Sequence, residues 1–208
     1  MVPGKHLVDF WFDPSCPYTW ITSRWLLEAA RVRPIEIRWN VMSLSVLNEH
    51  RDDDPEGDPE GYLWLPARLC AAVQQEHGHA ALGRLYTAMG TRFIVRAEES
   101  GFEPALDDAG LPTELAGAAW SPEYDGPLRA SHQAGVDLVG EGVGTPILAL
   151  PPTEDGRRPA FFGPVISPAP QGERAGRLWD GLLLLAGVPG FFELKRTLTG
   201  EPDFGGAS

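Results

Sequence analysis

The 208-residue chain is 43% hydrophobic and 22% charged, a globular composition with room for one large domain or one domain carrying an insertion. Its formal charge of −12 argues against nucleic acid, because phosphate binding needs a basic surface. No apolar run approaches the roughly 18 residues of a membrane span, and the opening MVPGKHLVDF lacks the apolar stretch and cleavage site of a signal peptide, so a cytoplasmic protein with no membrane partner is expected.

Leu7–Phe12 is a short apolar run broken by Asp9 and reads as a buried strand. DPSCP is a turn. Pro17 suits the first position of a helix, where its missing N–H would be unpaired anyway. Ile21, Trp25, Ala29 and Val32 then recur every three or four residues, with Thr22, Arg24, Glu28 and Arg31 largely on another face, until Pro34 stops the helix. In IEIRWNV the residues Ile35, Ile37, Trp39 and Val41 alternate with polar ones, a second strand. Strand, helix and strand at this spacing make a βαβ unit with parallel strands.

From about Leu47 to Val139 the pattern changes. An acidic Pro/Gly-rich connection, RDDDPEGDPEG, leads into four helical stretches, ARLCAAVQQEHG, AALGRLYTAMGTRFI, PTELAGAAW and DGPLRASHQAGVDLVG. Strands return at TPILAL and AFFG, joined by TEDGRRP with its Asp-Gly turn pair. GERAGRLWDGLLLLAG closes the pattern as a helix, with FFELKRT after it. The expectation is an α/β thioredoxin-like fold, βαβ–ββα, formed by residues 1–46 and 140–199. An all-helical subdomain spans 47–139, and 200–208 is a flexible tail.

The cysteine of the first turn carries the chemistry. With Pro17 as the first helical residue, Cys16 sits at the N-cap, where its sulfur can meet the free N–H groups of Tyr18 and Thr19 at the positive end of the helix dipole. That setting favours the thiolate, the nucleophile of disulfide exchange. The Thr19 hydroxyl, one turn in, is a further candidate donor to the sulfur. Asp9 is a candidate buried base, with a pKa expected to rise if it is buried. Asp13, before Pro14, reads as a turn residue. Cys70 lies among apolar residues at helical spacing in PARLCAAV and reads as core, with a displaced resolving cysteine as the alternative. The His77/His79 pair has no third ligand nearby, so no metal is expected. The glycines of GEGVG neither follow a strand nor open a helix and are not read as a phosphate loop.

Together, DFWFDPSCPYTWITSRW, NVMSLSVLNEHRDD, LYTAMG, VGTP, FFGPV and FFELKRT resemble the DsbA-like thioredoxin-fold proteins of mycothiol-producing bacteria. More narrowly they resemble the mycothiol-dependent reductase/nitroreductase group. The similarity runs from about Val8 to Thr197 and is weakest in the acidic loop and in Gly101–Pro122. The resemblance implies a thioredoxin core with a helical insertion and no tightly bound cofactor. It implies mycothiol, or another low-molecular-weight thiol, as co-substrate, and a small-molecule or protein disulfide, or a nitroaromatic compound, as substrate. The family pattern at the cysteine is Cys-Pro-Trp-Cys. Cys16 and Pro17 match it, Tyr18 replaces the Trp, and Thr19 replaces the second cysteine, which points to a single-thiol reaction. Pro146 matches the cis-proline that begins a strand facing the cysteine, and the backbone of Thr145 would pair with a bound thiol. Asn48 matches an Asn that lines the family's site, while His50 departs from the pattern. Tyr18 and Trp20 are expected to touch substrate. Two alternatives remain: a thiol-dependent isomerase or transferase of the 2-hydroxychromene-2-carboxylate isomerase and kappa type, and a non-catalytic binding protein on the same fold.

Overall fold

The computed structural model describes residues 4–153 and 155–205. Strand β1, His6–Phe12, feeds a turn and helix α1, Pro17–Val32, which returns to strand β2, Ile35–Val41. Strands β1 and β2 pair in parallel, with Val8 opposite Ile37 and Phe12 opposite Val41. The chain then leaves the sheet for a helical excursion: α2 (Leu44–Asn48), α3 (Trp64–Met89), α4 (Glu103–Asp108) and α5 (Asp125–Val139). It returns as two antiparallel strands, β3 (Ile147–Ala149) and β4 (Ala160–Phe162), and closes with α6, Gly172–Ala186. The sheet order is β2-β1-β3-β4. This is the thioredoxin-like core with a helical insertion that the sequence led one to expect.

Both faces of the sheet are covered, so alternation along the strands is muted. One face carries Val8, Phe10, Phe12, Trp39 and Val41, packed with Trp25 and Leu26 of α1 and Leu82 and Tyr86 of α3. The other carries Trp11, Ile147 and Ala149, packed with Met42 and with Val136 of α5. Asn40, whose place in the alternation suggested solvent, is buried on this second face and donates to Asp9 at 3.2 Å. Thr22 of α1 is likewise buried, donating to the Pro164 carbonyl at 2.7 Å, whereas Val32 at the helix end is exposed.

Local chemistry sets the breaks. In α3 Gly78 adopts φ 80° and ψ 177°, which divides the helix where two separate ones were read. Beyond it, Gly90–Val95 winds as a π-helix, and PTELAGAAW forms a 3₁₀ helix at Thr113–Trp120, a tighter turn than the α-helix its pattern suggested. At the Asp155-Gly156 turn Gly156 takes φ 80°; Glu154 of that turn lies outside the described residues, as do residues 1–3 and 206–208. FFELKRT has no regular structure. Gly200–Gly205 runs back along α1: the Asp203 N–H donates to Ser167 Oγ at 2.8 Å, and Phe204 borders a cavity of about 270 Å³ with Arg24, Leu27 and Arg31.

No helix among the described residues is long and apolar enough to cross a membrane.

Candidate active site

Cys16 is the N-cap of α1, with extended backbone (φ −79°, ψ 117°), Pro17 next to it, and partial exposure. Its carbonyl accepts the Trp20 N–H at 3.1 Å. The expected capping bonds from Tyr18 and Thr19 N–H to the sulfur are not formed. A thiol sulfur is a weak acceptor, and Cys16 is held by its backbone instead. The Thr19 hydroxyl does not turn to the sulfur either. It lies 2.6 Å from the hydroxyl of Thr145 in a fully buried pair, an O–H···O contact stronger than any bond to a thiol.

That pair joins the first turn of α1 to the start of β3. Thr145–Pro146 is a cis peptide bond, and the Pro146 carbonyl accepts the Gly163 N–H at 2.8 Å. Cys16, Pro17, Tyr18, Thr19, Thr145 and Pro146 are thereby brought to one end of the sheet. Asn48 ends α2, partly buried, and its amide donates to Glu56 of the acidic loop at 3.0 Å.

The loop bearing Cys16 is wound on Asp13, which does more than form the turn its sequence suggests. Its carboxylate is buried. Oδ1 accepts the Ser15 N–H at 2.7 Å and Oδ2 accepts the Leu44 N–H at 2.7 Å, while its own carbonyl accepts the Cys16 N–H at 3.3 Å. Asp13 therefore ties the cysteine loop to the start of α2. Burial pushes its pKa up to about 6, against the pull of the Leu44 and Ser15 N–H groups. The signal was present in Asp-Pro-Ser-Cys-Pro, where a carboxylate two residues before Ser15 can close an Asx turn.

Asp9 is corrected. It is buried, and burial alone would raise its pKa, but hydrogen bonds from Arg38, Arg158 and Asn40 outweigh that and hold it below the usual carboxylate value. Arg38 grips it through Nε and through Nη2 at 2.7 Å, and Arg158 through Nη2. A carboxylate held ionised by two guanidinium groups is a structural anchor and a poor proton acceptor. Trp20, expected at the surface beside the cysteine, is buried. It is 3% exposed, lying against Gly90 and edge-on to Tyr86, under the guanidinium of Arg24 at 3.9 Å, so its ring packs in the core and is not on the exposed surface beside Cys16. Tyr18 is partly exposed, with its hydroxyl 3.5 Å from the Gly200 carbonyl.

Both cysteines are free thiols, and Cys70 is fully buried in α3, with burial pushing its thiol pKa up. His79 Nδ1 meets the Trp39 carbonyl at 2.7 Å. Among the described residues no three His, Cys, Asp or Glu side chains converge as a metal-holding group.

Comparison with known proteins gives three kinds of match. The family model described as the Rv2466c-like, mycothiol-dependent nitroreductase Rv2466c family matches residues 15–196. An uncharacterized protein of Mycobacterium tuberculosis, Rv2286c, is 31% identical over 196 residues, covering 91% of this chain and 81% of that one. Among solved structures, a probable DsbA oxidoreductase from Streptomyces coelicolor superposes with a TM-score of 0.54 at 17% identity, covering 96% of this chain and 94% of that one. A putative protein disulfide isomerase from Nitrosomonas europaea gives 0.54 at 15% identity, covering 86% of this chain and 98% of that one.

Proposed function

The chain belongs to the Rv2466c-like family of mycothiol-dependent nitroreductases, and from that premise we propose that it is a single-thiol reductase. In this reading Cys16 is the nucleophile and a low-molecular-weight thiol, mycothiol in the first place, supplies the second sulfur. The observation that carries the reading is the occupant of the second-cysteine position: Thr19, whose hydroxyl is committed to Thr145. Cys70 is a poor substitute, because a thiol pushed up by burial stays protonated and cannot attack.

The steps balance without a second protein thiol. The Cys16 thiolate attacks one sulfur of a disulfide. That S–S bond breaks, a Cys16 mixed disulfide forms, and the displaced thiolate takes a proton from water. A thiolate of mycothiol then attacks the outer sulfur of the adduct and releases Cys16 as thiolate. With a nitroaromatic substrate, Cys16 and one mycothiol give up two electrons and two protons to form the mixed disulfide. The nitro group becomes nitroso and water, and a second mycothiol resolves the adduct. Asp13 fixes the loop that bears Cys16, and the Thr19–Thr145 pair ties the first turn of α1 to the cis-proline strand. Tyr18, Asn48 and the backbone of Thr145 are the candidates to contact the bound thiol.

Incubated with oxidised mycothiol, the protein should gain one adduct, at Cys16, and Cys16→Ser should gain none by mass spectrometry. Thr19→Cys should gain dithiol reductase activity that needs no added thiol for resolution. An internal Cys16–Cys70 disulfide in place of the adduct would overturn the single-thiol scheme.

A further inference from the structure

His132 stands between Leu128 and Val136 on the buried face of α5 and is 5% exposed. A polar ring in such a place needs a partner. The partner is the backbone of another element: the N–H of Ser43, the N-cap of α2, donates to His132 Nδ1 at 3.3 Å. A ring nitrogen that accepts an N–H carries no proton, so the imidazole is neutral with its proton on Nε2. The next N–H along, that of Leu44, donates to Asp13 Oδ2 at 2.7 Å, and Asp13 in turn holds the Ser15 and Cys16 N–H groups. At the far end of α2, the Glu49 carboxylate accepts two bonds of 2.6 Å from Arg129, one turn before His132 on α5. Residues three apart lie on one side of a helix. His132 and Arg129 thus dock both ends of the short helix that carries Asn48.

We infer that His132 is a positioning residue of the Cys16 site: its neutral imidazole latches the start of α2 to α5, and protonation of the ring opens the latch. This rests on Cys16 and Asn48 forming the thiol site, as proposed above, and adds to that site a sensitivity to acid.

An imidazolium carries a proton on each nitrogen, so Nδ1 no longer accepts and two N–H groups face each other. Ser43 is fully buried, so bulk water does not reach its N–H to replace the lost acceptor. Burial holds the His132 ring below the ordinary histidine value, opposed by Glu49 and assisted by Arg129, and the latch is closed at neutral pH. The unfolded chain takes up the proton more readily than the folded one. The stability that His132 contributes is therefore complete above about pH 6.5 and is lost as pH falls toward the folded value. The other elements meet α5 beside His132 through uncharged groups: Gln74 of α3 donates to Ser131 Oγ, which donates to the Val41 carbonyl of β2. Arg68 and Asp125 pair at the start of α5, and His50, 3.6 Å from Glu49, is exposed.

His132→Asn puts Oδ1 where Nδ1 stands and keeps an acceptor that does not titrate. His132→Leu fills the space without an acceptor. Two quantities are read from about pH 7.5 to about pH 4.5, a span that brackets the histidine range. One is the protection of the Ser43 amide against hydrogen exchange, by NMR. The other is the concentration of oxidised mycothiol that half-saturates the rate of adduct formation at Cys16. At neutral pH His132→Asn should match the parent protein. His132→Leu should lose roughly tenfold in protection and need roughly tenfold more mycothiol disulfide, the equivalent of one buried hydrogen bond. In acid the parent should fall to the level of His132→Leu, and His132→Asn should not follow. Asp13 and Cys16 are common to all three proteins, so the ratios between them isolate His132. The comparison of the parent with His132→Asn stands even where His132→Leu fails to fold. Ratios that stay constant with pH, or His132→Asn as impaired as His132→Leu at neutral pH, would overturn the inference. So would protection that follows this pattern with a half-saturation that does not, which leaves His132 a residue of the fold alone. Absence of a mycothiol adduct in every protein would sink the proposed co-substrate; the same ratios, read with dithiobis(nitrobenzoate) as the disulfide, would still decide the role of His132.

Discussion

Two aspartates four residues apart, Asp9 and Asp13, are both fully buried and are driven in opposite directions. Asp9 faces guanidinium groups, which favour its charged form. Asp13 faces only backbone N–H groups, too weak to offset desolvation. The consequence for stability has a definite sign. With a folded pKa near 6 and an unfolded value near 4, Asp13 binds more protons in the folded state between those limits. Its contribution is therefore most favourable below about pH 4 and is lost as pH rises to about 6. Asp13→Asn should flatten that slope, read as the urea midpoint at pH 4.5 against pH 7. The amide nitrogen cannot accept, so either the Ser15 or the Leu44 N–H loses its partner. Above pH 6 the variant should show a net cost of about 1 kcal/mol, the lost bond being partly offset by removal of a buried charge.

At the scale of elements, three tryptophans each lie on a glycine of a facing helix. A Cβ on Gly90 would stand 2.2 Å from the Trp20 ring, one on Gly83 2.4 Å from Trp39, and one on Gly135 2.9 Å from Trp11. These approaches let α3 and its π-helical extension, and α5 on the other face, close on β1, β2 and α1. Gly90→Ala should cost roughly 3 kcal/mol and Gly135→Ala roughly 1 kcal/mol by denaturant unfolding, since the deeper overlap needs the larger displacement. Only Gly90→Ala should also change Cys16 alkylation, because Trp20 is one turn from the cysteine. Periodicity exposed α1 and β2 clearly, since apolar residues recur where one face is buried. It did not show that Trp20 faces inward, because Trp20 and Tyr18 flank the cysteine equally in sequence. The cavity at Gly90 that receives Trp20 is made by a segment seventy residues on.

For the whole molecule, Asp9 joins three separate parts of the chain: β1 itself, Arg38 and Asn40 on β2, and Arg158 before β4. Its depressed pKa gives stability that is present above about pH 4 and is lost as pH falls through the folded value. Asp9→Asn should remove that loss in acid and cost roughly 1–3 kcal/mol at pH 7 in urea unfolding. A full buried-pair penalty is not expected, because Arg38 and Arg158 are 40% and 34% exposed and can turn to water.

By itself the sequence determined the layout and singled out Cys16 as the candidate nucleophile. Alternating and helical apolar periods record which faces are buried. Cys16 before Pro17 at a strand-to-helix turn, together with the stretches around it, specifies the fold and the family. Tertiary structure alone decided what surrounds the sulfur. The Thr19–Thr145 pair, the clamp of Asp13 on Leu44 and the double guanidinium grip on Asp9 all depend on groups distant in the chain. Whether a carboxylate or hydroxyl is charged or paired is set by desolvation and by partners within a few ångströms, and local residue patterns carry neither.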